Sequence, residues 1–302
     1  MDKYDFVAKT AMTLIWNNTE KQDAKRIASQ TPDDGVTVVS DVPYINDGTR
    51  AHLLDVYYPD NAESLPVIID IHGGGWMYGY KEINKHYCMH VAKRGYTVFS
   101  INYRLVPEVD FGGQVQDIMQ AFKWIGEHLT DYPCDTKNVF LTGDSAGGHM
   151  AAYLPLINTS EKLRKMWDTV QSTLKFNAVC LTSPVAFPDD GGLYSFALCP
   201  IFGRHPETKP YAGKFNVDSV INEGKMPPVY IITSTGDILA RKQSRKLFHL
   251  YQQQGIECML HDFPKWNGKH LEHVFAVINP FNAPGNKAIS EMTGFFGRYI
   301  VK

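Results

Sequence analysis

The chain of 302 residues has almost no charge imbalance, with 30 basic side chains against 32 acidic ones, and no stretch of five or six like charges. That removes the electrostatic footprint of a nucleic-acid binder or of a protein held on an anionic membrane. No apolar run reaches the roughly 18 residues expected of a membrane-crossing helix. The first residues mix Asp2, Lys3, Asp5 and Lys9 instead of placing a basic stretch before an apolar one, so a secretory leader is not legible. Cysteine is sparse: Cys88, Cys134, Cys180, Cys199 and Cys258 are scattered, odd in number, and form no CxxC pair or metal-ligand spacing. Reduced thiols and a cytoplasmic location are the expectation, with no metal and no cofactor. Internal repeats and low-complexity segments are absent too.

What is present is apolar content: 44% of the residues are hydrophobic, enough for one large α/β domain over residues 1–302. Tyr4, Val7, Ala8, Ala11 and Ile15 recur at helical spacing, so the chain opens with an amphipathic helix. After the break at Thr31-Pro32-Asp33-Asp34-Gly35, the apolar runs become short and β-branched. They predict strands at Val36–Val42, His52–Tyr58, Pro66–Ile71, Thr97–Ile101, Asn138–Leu141, Ala178–Leu181, Val229–Ile232 and Glu257–His261. Val67-Ile68-Ile69 is apolar without alternation, as in strands of a parallel sheet covered on both faces.

Helix-period segments separate these strands, clearest at Val115, Ile118, Met119, Phe122 and Ile125, and again over 239–251 and 288–299. Repeated strand-then-helix alternation predicts an open, mostly parallel sheet of about eight strands with helices on both faces. The first two strands have no room for a helix between them and read as an antiparallel hairpin at one edge. Residues 186–225 break the rhythm. This connection is rich in Pro, Gly and aromatics (Phe187, Tyr194, Phe196, Phe202, Tyr211, Phe215), as lids and binding loops are.

Two motifs carry chemistry. Leu141-Thr142-Gly143-Asp144-Ser145-Ala146-Gly147-Gly148 contains G-x-S-x-G between a strand and a helix-like run. Small residues at 143 and 147 let the chain turn sharply with the Ser145 hydroxyl at the apex, and the amides that follow face the same space from a helix N-terminus. His72-Gly73-Gly74-Gly75-Trp76 follows the third strand directly. Three consecutive glycines bring backbone N–H groups close to a substrate, as a developing oxyanion requires. A phosphate loop would instead want G-x-G-x-x-G or a terminal G-K-[ST], and neither occurs.

Together, HGGGW at 72–76, Tyr103-Arg104-Leu105 with Pro107-Glu108, and GDSAGG at 143–148 resemble the hormone-sensitive-lipase-like esterases and lipases of the α/β-hydrolase fold. The resemblance covers roughly residues 50–280. It implies carboxylester hydrolysis by a Ser–Asp–His triad, an oxyanion hole from the amides of Gly74, Gly75 and Ala146, and a small cap made by residues 1–30 and 186–225. It also implies a structural role for Arg104 and Glu108 near the oxyanion loop. Val106 stands where the family commonly has Ala, and Gly112 where it commonly has Pro.

The fold fixes the chain order as nucleophile, acid, histidine, each on a loop after a later strand. Asp237 follows the Val229–Ile232 strand and resembles the family's acid; capping the next helix is its bland alternative. Among later histidines, His249 falls in a helix and His261 in a strand, which leaves His270 and His273. The resemblance favours His273, which precedes Val274-Phe275 as in the family's His-x-Phe ending. Asp144 reads as a scaffold residue, and Trp76 as a candidate substrate wall. The partner expected is a small ester, with no nucleic acid, no membrane, and a homodimer left open. Amide or formamide hydrolysis by the same triad, as in arylformamidase-like relatives, and a non-catalytic ligand-binding protein on this scaffold are the competing readings.

Overall fold

The computed structural model describes residues 3–190, 199–203 and 205–302. Tyr194 and Phe196 of the aromatic connection lie outside the described residues, as do the side chains of Tyr4, Val7, Ala8, Ala11 and Ile15. Eight strands form one sheet: β1 Val36–Pro43, β2 Leu53–Pro59, β3 Leu65–Ile71, β4 Thr97–Ile101, β5 Cys134–Asp144, β6 Phe176–Thr182, β7 Val229–Ser234 and β8 Cys258–Phe263. Their order is β1-β2-β4-β3-β5-β6-β7-β8. β1 and β2 make the expected antiparallel edge hairpin, β2 also runs antiparallel to β4, and every later pair is parallel.

The helices are α1 Lys3–Ser29, α2 Lys85–Ala92, α3 Phe111–His128, α4 Ala146–Thr159, α5 Glu161–Met166, α6 Arg241–Gln253, α7 Phe275–Ile278 and α8 Ala283–Gly297. Side chains alternate across a strand, so β3 sends Val67, Ile69 and Ile71 into one core and Ile68 into the other. The first core is closed by α3 and α4, and Val115, Ile118, Met119, Phe122 and Ile125 of α3 are all fully buried there. The second is closed by α2 and α8. Asp110 and Asn282 start α3 and α8, each side chain accepting from the amide three residues on.

Polar and aromatic contacts seat α1. Tyr78 Oη donates to Asp23, Arg26 pairs with Asp23 and donates to the Ile83 carbonyl, and Gln30 donates to the Ile278 carbonyl. The connection after β6 contains 3-10 turns at Cys199–Phe202, Pro206–Thr208 and Val217–Ser219. Aromatic packing holds it against α3 and the end of α5: Tyr211 stacks on Trp167 at 4.1 Å, and Phe111 meets Phe215 edge-on at 5.9 Å. A methyl on residue 112 would lie 2.3 Å from Tyr211 Oη. Gly112 therefore leaves room for this contact, which is a physical reason for the departure from the family's proline. Among the described residues, no helix is long and apolar enough to cross a membrane.

Candidate active site

In a parallel sheet, the loops at the C-terminal ends of the strands gather on one edge. Ser145 follows β5, Asp237 follows β7, and His273 follows β8. Ser145 adopts φ 52° and ψ −113°, a strained conformation at the head of α4 that lifts its side chain off the helix. Its backbone is pinned on both sides, the amide donating to the Thr182 carbonyl at 2.9 Å and the carbonyl accepting from His149 and Val185. The turn closes because residue 147 is glycine: an added methyl would sit 2.0 Å from the Ile71 carbonyl oxygen.

Three of the sequence-predicted residues come together in line. His273 Nε2 lies 2.9 Å from Ser145 Oγ, and His273 Nδ1 lies 3.1 Å from each Asp237 carboxylate oxygen. Burial pushes the Asp237 carboxyl upward in pKa. The His273 hydrogen bond and charge, with further donors at Ala240 and Ser183, outweigh it and hold the group below its usual range. A carboxylate only accepts, so Nδ1 carries the imidazole proton and Nε2 is free to accept from the Ser145 hydroxyl. Asp237 Oδ1 also accepts from the Leu239 and Ala240 amides at 3.0 and 2.8 Å, so the capping alternative is met by the same carboxylate. His270 is exposed, and His261 is taken by Glu291 at 2.6 Å.

The glycine loop lies beside the nucleophile turn. The Gly73 amide donates to Asp144 Oδ1 at 3.1 Å, which ties the loop after β3 to the residue before Ser145. Asp144 is thereby a scaffold group. Among the described residues, the amides of Gly74, Gly75 and Ala146 form no hydrogen bond that would occupy them. His72 is buried, stacks on Tyr103 at 4.5 Å, and is held neutral by burial, its pKa lowered to about 4. Arg104 pairs with Asp117 of α3 through two hydrogen bonds of 2.9 and 2.6 Å, a structural role. Trp76 corrects an expectation. It is 1% exposed, edge-on to His149 at 5.5 Å, and its carbonyl accepts from Gln114, so the residue belongs to the core that carries the loop and not to an open wall.

Some supports of the site have no motif to announce them. Asn84 Nδ2 bridges Asp70 Oδ2 at 3.0 Å and Asp144 Oδ1 at 2.9 Å. Buried Ser183, at the end of β6 with φ 50°, bonds Asp237 and accepts from the Val274 amide, so it braces both the acid and the histidine loop. Both are single polar residues whose partners are distant in sequence; only an unexplained polar residue at a strand end hinted at Ser183.

Comparison with known proteins places this arrangement. Residues 54–188 match the BD-FAE family. Esterase B of Lactobacillus rhamnosis, in a structure described as inhibited by a C4-C4 tributyrin phosphonate, superposes with a TM-score of 0.93. The two share 29% identity, over 99% of this chain and 96% of that one. A bacterial heroin esterase shares the fold at a TM-score of 0.71 and 22% identity, over 100% and 98% of the two chains. The chain is 35% identical over 251 residues to a probable isoprenylcysteine alpha-carbonyl methylesterase of Oryza sativa, covering 79% of this chain and 58% of that protein. With esterase LipQ of Mycobacterium tuberculosis the identity is 30% over 155 residues, covering 50% of this chain and 35% of LipQ. The chain thus spans between about a third and three fifths of these curated relatives. In fold and sequence it is similar to these esterases of the α/β-hydrolase fold.

Proposed function

We propose that this chain is a serine carboxylesterase that cleaves small, short-chain acyl esters through an acyl-enzyme. The observation that carries the reading is the hydrogen-bonded line from Asp237 through His273 to Ser145, with a bond of 2.9 Å at the serine. In the proposed reaction His273 takes the Ser145 proton as the oxygen attacks the ester carbonyl, and the amides of Gly74, Gly75 and Ala146 receive the oxyanion. His273 returns the proton to the leaving alcohol. It then deprotonates a water that attacks the acyl-enzyme, releasing the acid and restoring Ser145. Asp237 holds the imidazole tautomer and steadies its cationic form.

The short-chain preference rests on two segments, α1 and residues 186–225, read as a cap over a single domain. Phe202, Tyr211 and Phe215 are bulky and buried, so in this reading they fill the cap instead of lining a long channel. The C4 phosphonate on esterase B suits the same chain length. The test is a p-nitrophenyl ester series from acetate to decanoate, with Ser145→Ala alongside. The acetate or butyrate should have the highest kcat/KM, and Ser145→Ala should lose at least roughly 10³-fold while remaining folded. A decanoate optimum would overturn the short-chain assignment, and near-normal turnover by folded Ser145→Ala would overturn the mechanism.

A further inference from the structure

We infer that His149 of α4 is a positioning residue for acyl-chain selection: its ring N–H pins the Phe215 carbonyl, and this pin holds the aromatic side chains of the connection after β6 in the closed packing that excludes long acyl chains. The inference rests on the short-chain esterase reading above and assigns that preference to a residue outside the triad and the oxyanion loop.

The first observation is placement. The His149 amide donates to the Ser145 carbonyl at 3.0 Å, so residue 149 stands one turn into α4 from the nucleophile. Its ring is fully buried. Phe111, at the start of α3, stacks on it at 5.1 Å, and Trp76, the residue after Gly75, meets it edge-on at 5.5 Å. One imidazole therefore touches the first turn of α3 and the end of the glycine loop while riding on the nucleophile helix.

The second is the hydrogen bond. His149 Nε2 lies 2.8 Å from the Phe215 carbonyl, and a carbonyl only accepts, so Nε2 carries the proton. Burial holds the imidazole neutral, its pKa lowered to about 4. Nδ1 is then unprotonated, and it has no hydrogen-bond partner among the described residues. An apolar side chain would fill this aromatic pocket without leaving a polar atom unpaired. What histidine adds here is the Nε2 donor.

The third is what that donor holds. One turn further along α4, Tyr153 Oη donates to the Lys214 carbonyl. Residues four apart share a helix face, so α4 grips two consecutive carbonyls of the connection. Its returning limb is tied to its outgoing limb as well, the Val217 amide donating to the Ala186 carbonyl at 3.1 Å and the Asp189 amide to Asn216 Oδ1 at 2.9 Å. The Phe215 ring packs on Phe202 at 4.3 Å and on Phe111 at 5.9 Å. With the Phe215 backbone fixed to α4, neither it nor Phe202 can withdraw to admit a longer chain.

The test is the ratio of kcat/KM for p-nitrophenyl decanoate to that for p-nitrophenyl butyrate, because intrinsic reactivity cancels when variants are compared. His149→Leu fills the pocket and removes the donor; it should raise the ratio about five- to tenfold, the size of one hydrogen bond. His149→Gln presents an amide N–H near the place of Nε2 and should keep the ratio within about twofold of the unaltered chain. Tyr153→Phe removes only the neighbouring bond and should raise the ratio about threefold, which keeps the inference testable should His149→Leu fail to fold. An unchanged ratio in folded His149→Leu, or in Tyr153→Phe where His149→Leu does not fold, overturns the inference. So does a His149→Gln variant that behaves like His149→Leu, or a His149→Leu variant that slows both esters alike, the signature of packing alone. If the unaltered chain prefers the decanoate, the short-chain reading falls and this inference with it; a butyrate preference that no variant alters leaves that reading standing and overturns this inference alone.

Discussion

At Asp237, burial acts alone against a carboxylate, yet the group lies below the usual carboxyl range because His273, Ala240 and Ser183 all bond its ionised form. It consequently stays charged under acidic conditions, as a partner to imidazolium must. The same geometry separates two histidines only three residues apart. His273 touches both Ser145 and Asp237, whereas His270 is exposed. His273→Ala should lose at least roughly 10³-fold in kcat, and His270→Ala should change it less than about twofold. Equal losses, measured on p-nitrophenyl butyrate, would remove His273 from the proposed mechanism. Residue spacing left this pair open, since both fall after the last strand; the family ending alone favoured His273. Trp76 shows the opposite failure. The glycines before it suggest an exposed loop, but the ring packs on the buried His149 imidazole and the Trp76 carbonyl is tied to the Gln114 side chain.

Strands were the most legible elements, because a sheet covered on both faces needs short apolar runs such as Val67-Ile68-Ile69, and all eight expected strands are found in it. Helix α2 was not legible. Six of its eight residues, His86, Tyr87, Cys88, Met89, Val91 and Ala92, are buried, so no polar face gives it a helical period. The order of β3 and β4 in the sheet was likewise invisible, since strand pairing depends on contacts that no local pattern records. For α1 the helix was evident and its seat was not: the described anchors are Trp16, Asp23, Arg26 and Gln30, on a stretch later than the apolar positions that announced the helix. Because Trp16, Asp23 and Arg26 grip the loop between β3 and α2, removing residues 1–30 should loosen the loop that bears Gly74 and Gly75. Hydrolysis of p-nitrophenyl butyrate by the truncated chain should fall at least tenfold, with the far-ultraviolet spectrum losing only the helix content of α1. Full activity after truncation would show that α1 does not support the site.

Across the whole molecule, the least expected feature is a pair of carboxyls buried under the active-site edge. Asp70 on β3 and Asp144 at the end of β5 share the Asn84 side-chain amide, and Asp144 also accepts from the Gly73 amide. Burial first, and the nearby Asp144 charge second, raise the Asp70 pKa from 3.8 to about 7. Asp144 is raised as well, chiefly by burial, but the charges of His273 and Arg26 favour its ionised form whereas the Asp144 charge disfavours that of Asp70, so Asp70 is the member that keeps a proton. Between those two values the folded chain binds a proton at Asp70 that the unfolded chain has released, and linkage then makes stability fall as pH rises through the window. The slope from one such group is about 1.4 kcal/mol per pH unit. Asp70→Asn keeps an acceptor for Asn84 and cannot ionise. Its melting temperature should therefore exceed that of the unaltered chain by a margin that grows by several degrees from pH 5 to pH 8, as groups common to both proteins cancel in the difference. A margin that stays constant across the range would mean that Asp70 enters the fold already ionised, and that the buried pair is held by its hydrogen bonds without a shared proton.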